Sequence, residues 1–292
     1  MIFEKEIMEM TQPKFEFPTE MSILKEYYEN EITLLNYVIE YKNALSNVNE
    51  STELAVIQEE FNNKAINKIK EIIKKFIEFC KNILRTVKDK IKKHTTYLNQ
   101  KLDTIEYYIK YKNADNIIIK IIDPDYIQDF EKEVETSIKL LSNYMRLLQD
   151  VVLNDKIDKY DILDIKNKIQ PMKIESLDPN KYISTHVIRK DNASKIVNSI
   201  KESITITEHN RVIYETMINN FIKNSEAYLK HRTGYSGEKS QEIVSTINLI
   251  LAKSQLISNA YASVINGYMI MINNSVDSII KKAKIKESNN EE

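Results

Sequence analysis

The chain has 292 residues, a net charge of −1, three glycines, five prolines and a single cysteine. Glycine at about 1% against the usual 7% leaves too few tight-turn residues for a sheet-rich or α/β enzyme fold, so long helices with few connections are expected. The length is enough to bury a real core, and one cysteine excludes an intrachain disulfide framework.

Charge is unevenly placed. Residues 1–63 hold four lysines and thirteen glutamates, a net of −9, whereas 64–93 hold eleven bases against three acids, a net of +8. The excess of lysine (37) and isoleucine (46) over arginine (5) is one that an A/T-rich genome produces as readily as selection does. The first ten residues, MIFEKEIMEM, place acids where a signal peptide has bases, so secretion by that route is not expected.

Residues 1–18 end in Pro13 and Pro18 around Phe15 and Phe17, the pattern of an extended arm. Thr19 is placed to cap an acidic helix in which Leu24, Tyr28, Ile32, Leu35, Val38 and Leu45 recur at helical spacing to about Ser46. Asn47 to Thr52 is a polar break, with Ser51 or Thr52 as the next cap.

The second helix meets no Gly or Pro before Pro124, and its apolar series runs from Leu54 to Ile109. If continuous to about Lys112 it spans some 60 residues, about 90 Å at 1.5 Å per residue. Within it Ile66, Ile69, Ile73, Phe76, Ile77, Cys80, Ile83, Leu84, Val87 and Ile91 form one stripe. Lys64, Lys68, Lys70, Lys74, Lys75, Lys81, Arg85, Lys88, Lys92 and Lys93 take the other side, with Lys90 near the edge. Burial is expected for Ile69, Ile73, Phe76, Cys80, Ile83 and Val87, and exposure for Lys70, Lys74, Lys81 and Lys92.

Asn116 to Ile122 is β-branched and reads either as a short strand or as a helix end. Asp123-Pro124 predicts a helix start, followed by Ile127, Phe130, Val134, Ile138, Leu141, Met145, Leu148 and Val152 at near-heptad spacing. Asp155, Asp158, Asp161 and Asp164 lack the turn glycine of a calcium loop and read as a solvated helix face. Pro171 and Pro179 bracket a linker, and Tyr182 to Arg189 is a strand candidate placed to pair with Asn116 to Ile122. Asp191 or Asn192 opens a fourth helical region to about His231, either unbroken or interrupted at Ile204 to Ile206. Gly234 and Gly237 turn into a last helix from about Glu238 to Lys284.

The fold class expected is therefore all-α: an elongated bundle of about five long helices with a minor two-stranded β element. Its parts are an arm at 1–18, an N-terminal helical region at 19–170, a linker at 171–190, a C-terminal helical region at 191–286 and a polar tail at 287–292.

No motif points to catalysis, and no cofactor or metal is expected. His94, His186, His209 and His231 are too scattered for a local zinc motif, and no glycine-rich phosphate loop or nucleophile elbow occurs. The basic helix has three readings: packing against the acidic helix, contact with nucleic-acid phosphates, or contact with anionic lipid. The last helix carries no charge between Lys253 and Asp277, a length that reaches across a bilayer. Nine Ser, Asn or Gln residues in that gap favour a helix buried among others, with Ala260, Ala262, Ser263 and Gly267 permitting close approach.

Leu24-Lys-Glu-Tyr-Tyr-Glu-Asn-Glu-Ile-Thr-Leu-Leu35, followed by Ile66-Asn-Lys-Ile-Lys-Glu-Ile-Ile-Lys-Lys-Phe-Ile-Glu-Phe79, resembles the helical internal virion proteins of tailed bacteriophages. The likeness covers residues 20–110 and lies in the succession of an acidic helix and a Lys/Ile/Phe helix. It implies a non-enzymatic structural protein, inside or lining a phage head, that packs against itself or other structural proteins. The ten bases named above would then touch DNA without reading sequence. A helical membrane-active protein is the alternative, and outside a virion a cytoplasmic location is the expectation.

Overall fold

The computed structural model describes residues 19–47, 51–111, 117–153, 159–169, 179–189, 191–231 and 239–288. The protein is all-α with one small β ribbon. Its helices are α1 (Glu20–Ser46), α2 (Ser51–Tyr111), α3 (Ile127–Leu153), α4 (Lys159–Ile169), α5 (Ala193–His231) and α6 (Lys239–Ser288), and strands β1 (Ile117–Ile122) and β2 (Ile183–Ile188) form the ribbon. Five of the helices are long, and the 11-residue α4 is an additional short one. The expected arm at 1–18, the Gly234–Gly237 turn and residues 171–178 and 190 of the linker lie outside the described residues, as do Asp155 and Asp158.

Helix α2 is continuous for 61 residues, as its unbroken apolar series predicts. Ile69, Cys80, Ile83, Val87, Ile73 and Phe76 are all at most 2% exposed. Lys74, Lys81 and Lys92 are exposed, while Lys70 is half-buried against expectation. The stripe is covered by α5 and α6. Helix α5 runs antiparallel to α2, tied by Lys81–Glu226 at 3.1 Å and Lys201–Glu106 at 3.4 Å. Helix α6 runs parallel to α2, with Ile72 and Phe76 beside Asn248 and Leu251 at one end and His94 bonded to Asn273 at the other. Helix α3 closes the far side by packing on both α5 and α6. Across the middle Tyr214 of α5 stacks on Tyr261 of α6 at 4.6 Å, and its hydroxyl donates to the Ser258 carbonyl at 3.3 Å.

The ribbon forms where β-branched residues alternate. Ile119 and Ile121 are buried, Ile118 is 57% exposed, and the antiparallel register sets Ile118 opposite Val187. A two-stranded ribbon is marginal alone, and this one is fastened to the helices. Ser275 of α6 accepts from the Lys120 N–H at 3.3 Å and donates to its carbonyl at 2.8 Å, and Ser199 of α5 donates to the Ile122 carbonyl at 3.1 Å.

Four expectations are corrected. Asp123-Pro124 makes a turn and not a helix start: Asp123 Oδ1 accepts the Asp125 N–H at 3.0 Å, the Asp123 N–H is held by the Tyr182 carbonyl at 2.8 Å, and α3 begins only at Ile127. Helix α5 is not interrupted at Ile204 to Ile206. There Ser203, Thr205 and Thr207 each donate a hydroxyl to the carbonyl four residues back, at 2.6, 3.0 and 2.7 Å, so the hydroxyls are paired within the continuous helix. Gly267 is exposed, and a Cβ added there meets nothing within 4 Å, so it serves no close helix approach. Residues 287 and 288, expected in the tail, belong to α6, which runs to Ser288.

Phe76 sits at the meeting of α2, α5 and α6, 1% exposed and edge-on to Phe221 at 5.6 Å. Phe76→Ala is expected to lower unfolding free energy by about 3–5 kcal/mol in denaturant titrations.

Candidate interaction surface

The basic side of α2 faces three different environments. Toward its N-terminal end it meets α1 in an antiparallel hairpin, Lys64 reaching Glu40 at 3.2 Å and Lys75 reaching Glu26 at 3.4 Å. Hydrogen bonds donated to Glu40 and Glu60 raise the Lys64 ammonium above its ordinary value. Lys68 is only 10% exposed in its side chain and bonds Glu71 at 3.2 Å. Burial alone would raise the Glu71 carboxyl, but Lys68 and Lys75 outweigh it and hold it below the usual range. Further along, Lys81 pairs with Glu226 of α5, and Arg85 bonds Asn82 at 3.2 Å. Lys70, Lys74, Lys88 and Lys92 make no ion pair within 4.0 Å among the described residues. Lys88, Lys92 and Lys93 line a shallow groove with Asp89, Thr96, Tyr97 and Gln100. Exposed ion pairs contribute at most about 1 kcal/mol each, so this face sets register and solubility more than stability.

The acidic helix carries apolar residues on two sides, and the side it buries, with Ile23, Leu34 and the half-buried Tyr27 and Tyr37, is not the stripe read from sequence. Of the stripe read from sequence, Tyr28, Ile32 and Leu35 are 60%, 58% and 54% exposed, with Met21 at 74% and Ile39 at 48% on the same face. The residues α1 buries are Ile23, Asn30 and Leu34. A network with α6 explains the orientation. Asn30 Nδ2 donates to Asn248 Oδ1 at 3.1 Å, inside the protein. Asn248 Nδ2 donates to the Tyr27 carbonyl at 3.1 Å and to Glu31 Oε1 at 2.9 Å. Ser245 Oγ donates to Glu31 Oε2 at 2.8 Å and accepts from Lys166 of α4. Asn30, Ser245 and Asn248 are each at most 5% exposed. Such buried groups are costly to leave unpaired, so turning α1 to bury its apolar stripe would break all of these bonds. Burial, then the Glu31 and Tyr28 charges, push the Tyr27 phenol up to about 12, which keeps it neutral beside the network. Nothing in the local sequence of α1 signals this, because Asn30 and Asn248 lie 218 positions apart.

Elsewhere the titratable groups are arranged for packing. His94 is lowered by burial, then by the Lys93 and Lys90 charges, and its ring bonds Asn273. Tyr97 bonds Asp277, and burial followed by that carboxylate pushes its phenol up to about 12. Burial alone raises the Cys80 thiol, so it is a neutral core side chain. On the ribbon, Ser184 Oγ lies within hydrogen-bond reach of His186 Nε2, and Asp123 Oδ2 is 3.9 Å from that same nitrogen. A catalytic triad needs the acid on the opposite ring nitrogen, which this placement does not provide.

Among the described residues no group of three or more His, Cys, Asp or Glu is placed to hold a metal, and no helix is long and apolar enough to cross a membrane. Much of the uncharged stretch of α6 faces the interior, with Ser254, Gln255, Ser258 and Ser275 at most 9% exposed, while Gly267, Ile270 and Asn274 face outward.

Asn248→Leu removes the centre of the network and strands Asn30. It is expected to destabilise by about 1–3 kcal/mol and to speed amide exchange across Glu20–Ser46 while α2, α5 and α6 keep their protection; unchanged exchange in α1 would show that the network does not hold it. Comparison with protein families, with curated proteins and with solved structures finds no match for this chain.

Proposed function

We propose that the protein is a non-enzymatic structural and assembly protein, an elongated bundle built mainly on five long helices, that packs against other protein inside or along the lining of a tailed-phage head. The observation that supports this reading most is α1: its apolar stripe is fixed outward by a buried polar network. An apolar patch of that extent on a folded domain marks a contact surface. The phage setting rests on the resemblance of residues 20–110 to internal virion proteins.

Mass spectrometry of particles purified from producing cells tests the setting. The protein is expected in the particles at a reproducible ratio to the major capsid protein; its presence in the lysate and absence from particles would overturn the assignment. A second reading, contact with nucleic acid, draws on the groove where Lys88, Lys92 and Lys93 sit beside Tyr97. It predicts retention of duplex DNA that weakens steeply with salt, and Lys88→Ala/Lys92→Ala should flatten that slope by about two units. A membrane-active role would require Ser254 to Val276 to leave the core, and binding to anionic liposomes with loss of near-ultraviolet circular dichroism would favour it.

A further inference from the structure

The outward stripe of α1 has a period of its own. Met21, Tyr28, Ile32, Leu35 and Ile39 follow at steps of seven, four, three and four, the seam of a helix pair. We infer that this seam packs against the same seam of a second copy of the chain, antiparallel, across a two-fold axis passing beside Asn30. The inference rests on the assembly reading above and names its surface and partner.

Two features point to a second copy. The five side chains expose roughly 550 Å² per copy, and half-exposed Leu24 and Val38 flank them, against about 800 Å² per partner in a standard interface. A seam of heptad spacing is also complementary to itself, and closed two-fold pairing uses one patch twice. Charge then selects the direction. Lys25 and Lys42 continue the seam's own spacing, so parallel, in-register pairing would set Lys25 against Lys25 and Lys42 against Lys42. Antiparallel pairing sets Met21 against Ile39 and Tyr28 against Ile32 of the second copy. Lys25 then lies over Leu35, its stem covering the apolar side chain and its ammonium reaching water. Helix α1 is anchored to the body through its opposite face, so both bodies lie outside the pair.

The test is cross-linking of the full chain with a short bis-maleimide, which the buried native Cys80 does not join. Positions 21 and 39 are about 27 Å apart along the helix. Met21→Cys/Ile39→Cys is therefore expected to yield a covalent dimer, and Met21→Cys alone is not. Dimer from the single variant, or none from the double, overturns the pairing. Sedimentation equilibrium supplies the second arm: the 34.3 kDa chain should form a dimer, and Ile32→Ala/Leu35→Ala should weaken it by about 100-fold or more. These positions are exposed, so a folded variant is expected by circular dichroism. A wild-type chain that stays monomeric, or one whose association ignores both substitutions, overturns the inference, the latter leaving an assembly role through another surface intact. Protection of the seam in a monomer would place another part of the same chain on it, which also overturns it.

Discussion

A helix of 61 residues cannot cover its own apolar stripe, and the architecture follows from that constraint. Helix α2 presents its apolar side chains along most of its length. Two other long helices must lie along it, and α5 and α6 do so from opposite directions. Helix α3 then seals the face that α5 and α6 share, and Tyr214 stacked on Tyr261 fills the space between them. The ribbon and α4 are secondary. One is fastened by serines of α5 and α6, and the other is tied to α6 through Lys166.

Within this frame α6 carries two kinds of contact. Along most of its length it is an apolar core helix, with Ile247, Ile250, Ile257 and Ile265 almost wholly buried. Near its N-terminal end Ser245 and Asn248 turn the interface polar, and that change dictates how α1 docks. Apolar surfaces bind without fixed direction, whereas an amide with three defined partners accepts one rotation of the neighbouring helix. The polar contact therefore selects between two sides of α1 that both carry apolar residues: Ile23 and Leu34 go in with Asn30, and Tyr28, Ile32 and Leu35 stay out.

Much of the fold was legible in the residues because it is set locally. Thr19 caps α1, its Oγ1 accepting the Ser22 N–H at 3.1 Å, and the first residue of α2 is Ser51, within the expected polar break. The β-branched run before Asp123 read either as a strand or as a helix end, and the antiparallel register with β2 decides for the strand. The basic helix facing the acidic one was legible from charge, and Lys64–Glu40 and Lys75–Glu26 carry it. What was not legible depends on distant partners or on side-chain hydrogen bonds. Periodicity shows that α1 has an apolar side, yet it cannot tell whether that side is covered. Asn30 in the core makes sense only once Asn248 is beside it. The β-branched run at Ile204 to Ile206 left a break open, and in the continuous helix the hydroxyls of Ser203 and Thr207 are paired back along it.

The central claim is that α1 docks through the side that carries Ile23, Asn30 and Leu34 and leaves the side that carries Tyr28, Ile32 and Leu35 exposed, and neighbouring positions report it directly. Leu34 is 3% exposed and Leu35 is 54% exposed. Spin labels placed singly at these positions, with the chain diluted to its monomer, should give an immobilised spectrum at 34 and a mobile, solvent-accessible one at 35. The opposite result, with the label at 35 immobilised and that at 34 mobile, would mean that α1 buries its apolar stripe and would contradict the account.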